Sequence, residues 1–184
     1  MNVGGFALFA TPIGACGIAW GPGGLIGTQL PMASDAAALT RLARRFPDCT
    51  PQIAPAEIER WTGRIAAHLG GADVDYSDTP LDFSQIGDFE ARVYRAAQGI
   101  PAGETRTYGA LAAEVGEPRA AQAVGQALGR NPWPIVVPCH RITAADGGTG
   151  GFSAPGGAVT KIRLLEIEGA LAAERLPLFS FDQR

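Results

Sequence analysis

The chain has no run approaching the roughly 18 consecutive apolar residues needed to cross a bilayer, which excludes a membrane-spanning helix. It also lacks the basic start of a secretory leader. It begins Met1-Asn2-Val3-Gly4-Gly5, so a cytoplasmic location without membrane attachment is expected. Cysteine is scarce: Cys16, Cys49 and Cys139 form an odd, widely spaced set, which argues against a disulfide framework and for independent thiols in a reducing compartment. No Cys-x-x-Cys spacing is present, and a metal centre drawn from Cys16, Cys49 and His68 would lack a fourth ligand, so neither metal nor cofactor is expected. An excess of positive charge is missing too, the net charge being -3. Up to Gln85 five arginines face eight acids, and from Ile86 onward ten basic residues face ten acids. The second half is relatively more basic, but electrostatics alone does not identify a nucleic-acid partner.

What is present describes an ordinary globular chain of one domain or two small ones: 184 residues, 46% hydrophobic and 18% charged. Phe6 to Thr11, Cys16 to Trp20 and Leu25 to Leu30 read as three strands separated by Gly- and Pro-containing turns, hence a small antiparallel meander. Ser34 or Asp35 can cap a helix running to Phe46, with Arg41, Arg44 and Arg45 near its C-terminus, where the helix dipole favours cations. Ile58, Trp61, Ile65 and Leu69 have helical spacing after Pro55, and Gly70-Gly71 ends that helix. His68, late in it, reads as a surface or capping group. Asp73, Asp75, Asp78 and Asp82 mark a solvated linker.

Beyond this linker the expected class changes from an α/β region, residues 1–85, to a mainly helical one, residues 86–184. Asp88 can cap a helix stopped by Gly99 and Pro101. A helix from Thr107 to Val115 ends at Gly116, and another is expected over Arg119 to Leu128, with Pro118 at its start. Two short helices joined by a Gly-containing turn are a helix-turn-helix candidate, giving a winged-helix-like C-terminal domain. In the second helix Ala120, Ala121, Ala123, Gly125 and Ala127 leave the surface nearly bare, which suits either helix packing or a groove. Arg119, Gln122 and Gln126 supply donors along one stripe, suited to phosphates or base edges.

The chemistry concentrates in Pro134-Ile135-Val136-Val137-Pro138-Cys139-His140-Arg141-Ile142. The β-branched run favours a buried extended segment, and Pro138 fixes the backbone just before the cysteine. A cysteine packed merely as a small hydrophobe gains nothing from the polar pair after it. A nucleophile does: His140 can act as base near neutral pH, and Arg141 is a permanent cation that favours thiolate. The later Gly147 to Gly157 stretch is too Gly-rich for a helix or strand and reads as a lid loop over a pocket. It lacks the closing Gly-Lys-Ser/Thr of a phosphate-cradling loop. The last helix is expected over Thr160 to Gly169, with Ile162, Leu165 and Ile167 inward.

Thr107-Tyr108-Gly109-Ala110-Leu111-Ala112, the Ala-Gln-Ala-Val-Gly helix, Arg130-Asn131-Pro132, Pro138-Cys139-His140-Arg141 and Gly151-Phe152-Ser153 together resemble the O6-alkylguanine-DNA alkyltransferases in order and spacing. The resemblance covers roughly residues 86–170, and the first 85 residues match only in outline. It implies a monomer that binds alkylated double-stranded DNA in the minor groove, flips the damaged guanine out of the stack and transfers its alkyl group irreversibly to Cys139. It implies that His140 is a base acting through a water, that Glu168 rather than Glu166 orients it, and that Asn131 stabilises a turn beneath the site. Tyr108 would donate to guanine N3 so that the base leaves neutral. The backbone N–H of Ser153 would meet O6, the carbonyls of Cys139 and Ile142 would accept from the exocyclic amine, and Leu128 and Phe152 would line the pocket. Arg119, Ala121, Gln122, Ala123, Gly125, Arg130 and Arg141 form the implied DNA-binding set.

Two positions depart from the family. Phe152 stands where some relatives have tyrosine, and Gln122 stands where most carry the arginine that fills the space left by the flipped nucleotide. Glutamine brings neither charge nor a stacking plane. Weak duplex repair by an alkylated-base-binding relative, and a Cys/His hydrolase, are the alternatives. The family's non-catalytic members replace the cysteine, and Cys139 is present here.

Overall fold

The computed structural model describes residues 4–146, 148 and 150–171. Strands β1 (Gly5–Phe9), β2 (Cys16–Gly21) and β3 (Gly24–Gln29) form the expected antiparallel meander, as their apolar runs and intervening Gly turns dictate. The sheet is nevertheless mixed. A two-residue strand β4 (Thr50–Pro51) pairs parallel to β1, giving the order β3-β2-β1-β4. Helix α1 (Asp35–Arg45) is capped by the Ser34 side chain, which accepts from Ala37 N–H, and lays Leu42 and Ala38 inward. Phe6, Ala19 and Leu42 make a small cluster there, with Phe46 and Ile26 against it. Helix α2 (Ala56–Leu69) buries Ile58, Trp61, Ile65 and Leu69, as their spacing requires, and buries His68 with them.

After a stretch without helix, α3 (Asp88–Gln98) ends at Gly99. The two-residue strand β5 (Arg106–Thr107) leads into α4 (Tyr108–Glu114), where the Thr107 hydroxyl accepts from Ala110 N–H. Gly116, at φ 83°, turns the chain out of α4, a conformation that costs a Cβ-bearing residue more. Helix α5 (Ala121–Gly129) starts two residues later than expected. Pro118 and Arg119 lie in the preceding turn, so Arg119 does not extend the stripe of Gln122 and Gln126. Strand β6 (Ile142–Thr143) pairs parallel with β5, and α6 (Gly157–Ile167) starts three residues earlier than expected. Its buried side chains are Lys161, Leu164 and Leu165, in place of the expected Ile162, Leu165 and Ile167.

One hydrophobic cluster runs through both halves of the chain, from Ile18, Trp20 and Leu25 to Val93, Leu111 and Trp133. Trp133 is its largest fully buried side chain, packed edge-on to Tyr94. Its indole N–H donates to the Leu25 carbonyl (2.8 Å). Thr28 adds two more links, its N–H to the Pro132 carbonyl (2.9 Å) and its hydroxyl to that of Pro134 (2.7 Å). Thus β3 holds the loop that precedes Cys139. Among the described residues, no helix is long and apolar enough to cross a membrane.

Candidate active site

The segment Pro134 to Val137 is buried, as its composition requires, but it is not extended. It closes a tight turn in which Pro134 bridges Val137, Val137 N–H donates to Trp133 O (2.8 Å), and Ile135 takes φ 81°. A β-branched residue in the left-handed region is strained and persists only where its surroundings over-determine it. The Asn131 side chain supplies part of that constraint. Its Nδ2 donates to Val137 O (2.8 Å), and its Oδ1 accepts from Trp133 N–H (2.9 Å). Cys139, His140 and Arg141 then form a single 3-10 turn. Here neighbouring side chains escape the opposite-facing geometry of a strand.

Every oxygen of Glu168, just past α6, is spoken for. Oε1 accepts from His140 Nε2 (2.7 Å), His68 Nε2 (2.8 Å) and Arg141 Nη2 (2.8 Å), and Oε2 from Arg141 Nε (2.9 Å). Burial alone would raise this carboxyl, but the donors from His140, His68 and Arg141 outweigh it and hold Glu168 well below the usual carboxylate range. An ionised carboxylate only accepts, so both imidazoles carry their proton on Nε2. His140 is completely buried, and burial lowers its pKa against the opposing pull of Glu168, so it is neutral and able to accept a proton. Its Nδ1 has no partner among the described residues. Glu166 is exposed, which leaves Glu168 as the carboxylate of this set.

Cys139 is buried, and burial raises its thiol. Hydrogen bonding from Asn131, the charge of Lys161 and backbone N–H groups act the other way. Lys161, the only lysine of the chain, is wholly buried; its ammonium donates to Ile142 O (2.5 Å), and burial lowers it to about 8. Cys16 is also buried, with its thiol raised to about 11, and has only the Thr11 hydroxyl (3.8 Å) beside it. Cys139 therefore differs from a packed cysteine by its surroundings. Among the described residues no group of His, Cys, Asp or Glu stands where it could hold a metal ion, and Cys16, Cys49 and His68 form no such set.

A cavity of about 710 Å³ opens over Cys139. Tyr108, Leu128, Phe152 and Ser153 line it, together with Ala121, Gln122 and Gly125 of α5. Tyr108 is half-buried, its hydroxyl donating to Gly151 O (3.3 Å). Its ring needs the glycine at 150, where a Cβ would stand only 2.9 Å away, whereas a Cβ at Gly125 would make an ordinary contact at 3.7 Å. Ser153 Oγ donates to Gly129 O (2.8 Å). The described part of the expected lid, including Gly151 to Gly156, is irregular, while Gly147 and Thr149 fall outside the described residues.

Three expectations fail here. Arg141 is not a surface contact for DNA: it is buried, paired with Glu168, and also donates to the Ile100 carbonyl. Its sequence neighbours gave no sign of an acid 27 residues away. Ile142 does not line the cavity, and its carbonyl takes the Lys161 ammonium. His68, expected at the surface, is buried against Glu168. Its position three residues after Ile65 and beside Leu69 was the available signal. Lys161 was likewise legible as a member of the Lys161, Leu164, Leu165, Glu168 face.

An enclosed thiol, backed by a neutral imidazole and a buried carboxylate and forming one wall of an apolar cavity, defines a protein that acts through a cysteine nucleophile. Residues 88–170 match the family described as 6-O-methylguanine DNA methyltransferase, DNA binding domain. The chain is 36% identical over 159 residues to a methylated-DNA--protein-cysteine methyltransferase of Methanothermobacter thermautotrophicus, covering 86% of this chain and 81% of the relative. It is 49% identical over 116 residues to the protein of that name from Mycobacterium bovis, covering 63% and 68%. Among solved structures, Mycobacterium tuberculosis OGT in complex with DNA superposes with a TM-score of 0.70 at 35% identity, covering 90% of this chain and 92% of that one. The O6-methylguanine-DNA methyltransferase of Pyrococcus kodakaraensis gives 0.69 at 27% identity, covering 89% and 99%. The chain belongs to the methylated-DNA–protein-cysteine methyltransferase family.

Proposed function

We propose that this protein repairs DNA by moving an alkyl group from O6-alkylguanine onto Cys139, once per molecule. The observation that carries the reading is the position of Cys139: it walls a cavity large enough to admit a base, and the next residue, His140, is paired with Glu168 (2.7 Å). The alkyl carbon cannot be lined up with a thiolate inside the base stack, so the guanine has to leave the duplex and enter that cavity. His140, neutral, takes the thiol proton through a bridging water, and Glu168 stabilises the resulting imidazolium. The Cys139 sulfur attacks the alkyl carbon in line with the departing O6, forming the S–C bond as the C–O6 bond breaks. Tyr108, on the same cavity wall, donates to guanine N3 so that the base leaves neutral, and Ser153 N–H meets O6. The thioether product is stable, which ends the molecule's activity.

Delivery is assigned to α4 and α5 acting as a helix-turn-helix in the minor groove. Gln122 and Gln126 are exposed at the cavity mouth, and Ala121, Ala123 and Gly125 allow the duplex close to the helix backbone. Arg119 and Arg130, both exposed, reach phosphates. Residues 86–184 carry this work as a monomer, while residues 1–85 brace the loop before the nucleophile and contribute His68. A duplex containing one O6-methylguanine, incubated with an equal amount of protein, tests the reading. Guanine is restored by the wild type and not by Cys139→Ser; restoration by both, or by neither, overturns it.

A further inference from the structure

Cys139 and Ser153, with Leu128 and Gly129, are shared walls between the main cavity and a second, smaller chamber of about 160 Å³. By the roughly 30 Å³ that a water occupies in the liquid, this is room for about five small atoms. Its lining includes Pro134 on one side and, from the N-terminal region, Gln29, Arg41 and Arg45. Among the described residues, no carboxylate lines it.

The two arginines are one helical turn apart on α1, and neither has an acidic partner among the described residues. Like charges at this spacing oppose each other, and partial burial removes the water that would screen them. Burial and the Arg41 charge lower Arg45 to about 10. Arg45 is fixed by donating to the carbonyls of Thr28 (3.0 Å) and Pro132 (3.2 Å). Arg41 has a buried Nε–H without a partner among the described residues. The arrangement is an uncompensated positive chamber with an idle donor, and the nucleophile forms part of its wall.

We propose that this chamber receives the far end of the O6-substituent and selects substituents that end in a carboxylate, O6-carboxymethylguanine being the simplest. The inference rests on the alkyl-transfer reading above. When the carbon attached to O6 meets the Cys139 sulfur, the base lies in the main cavity, and the chamber is a second space that Cys139 also walls, placed to take the rest of the substituent. Arg130 also lines the chamber but is paired with Glu90 (2.9 Å), which leaves the two arginines of α1 for the substituent. The step is the same displacement: the S–CH2 bond forms, the CH2–O6 bond breaks, the thiol proton goes to His140, and guanine leaves with S-carboxymethylcysteine as the product. Arg41 binds the carboxylate with a charge-assisted hydrogen bond, and Arg45 adds its charge.

The test uses three duplexes of one sequence carrying O6-carboxymethyl-, O6-carbamoylmethyl- or O6-methylguanine, with second-order transfer rates measured for the full chain and for Arg41→Gln. The carbamoyl group matches the carboxylate in heavy atoms without its charge. Intrinsic reactivity cancels when the carboxymethyl-to-carbamoylmethyl ratio is compared between the two proteins. That ratio falls about tenfold in Arg41→Gln if the chamber selects anions, the loss expected for one charge-assisted hydrogen bond. An unchanged ratio overturns the proposal. Equal slowing of all three substrates overturns it in favour of a phosphate contact. Absence of transfer from all three with the wild-type chain sinks the alkyl-transfer reading itself, and this proposal with it.

Discussion

The His68 Nε2 and Glu168 Oε1 lie 2.8 Å apart, with 1% and 2% of their side chains exposed, although one hundred residues separate them in sequence. Helix α2 of the sheet-bearing half therefore supplies a donor to the same carboxylate oxygen that His140 uses. A hydrogen bond to a charged group contributes about 1.5–3 kcal/mol, so His68→Phe, which keeps a ring beside Tyr76, is expected to lower unfolding stability by about that amount. It should also alter chemistry. With one donor fewer, Glu168 pulls harder on the His140 proton, and the His140 pKa rises. The acid limb of the transfer rate then moves to higher pH, with little change at pH 8. A destabilised variant whose pH profile overlays the wild type would show His68 to be a packing residue only.

The wild-type pH profile follows from the same groups. Burial, first, and then the charge of Arg141 lower His140 against the pull of Glu168, so it remains neutral below the ordinary imidazole value of about 6.5. The rate should hold through pH 6.5 and fall only at lower pH. Stability has the corresponding sign. Between the unfolded value and the lower folded one, the unfolded chain binds a proton at His140 that the folded chain refuses, so stability declines as pH falls below about 6.5. Thermal unfolding measured from pH 8 down to 5 checks this. A midpoint that rises on acidification contradicts the buried neutral imidazole.

Ile135 gives a test of the turn under Cys139. Alanine ordinarily stabilises a residue position relative to glycine, but at φ 81° a Cβ is strained, costing roughly 1–2 kcal/mol. Both truncations lose the same kind of buried side chain, so their difference isolates the backbone. Ile135→Gly is expected to be more stable than Ile135→Ala by about 1 kcal/mol in denaturant melts. The usual order, alanine above glycine, would argue against the strained turn.

Much of this architecture was legible from the residues, and the failures have physical causes. Strands β1 to β3 could be read because apolar runs alternate with Gly turns, and Tyr108, Asn131, Cys139 and Ser153 because they stand in short patterns whose spacing is fixed locally. Strand β4 could not: it is two exposed residues, one a proline, held by pairing to β1. Propensity misread Ile135 to Val137, where Asn131 and β3 impose a turn on β-branched residues. Arg141 and His68 were misplaced because their partner, Glu168, is distant in sequence. Burial of a charge depends on a counterion that local pattern does not show.

Gln122 is exposed at the cavity mouth, at the position where the family resemblance leads one to expect an arginine. An arginine there adds a charge toward phosphates and a plane that can stack in the gap left by the flipped base. Gln122→Arg is expected to raise the second-order rate on duplex DNA severalfold, with a smaller gain on single strands, which need no flipping. Equal rates on duplex for the two proteins would remove Gln122 from the account of delivery.

The central claim, one alkyl group moved to Cys139 per molecule, is tested most directly by mass. The protein is incubated with an excess of O6-methylguanine duplex, its intact mass is measured, and the peptide containing Cys139 is sequenced by fragmentation. The account predicts a gain of one methyl group, located on the Cys139 sulfur, with guanine restored in an amount equal to the protein and no more. Unmodified protein alongside repair that continues beyond one equivalent, or a methyl group on any other residue, would contradict it.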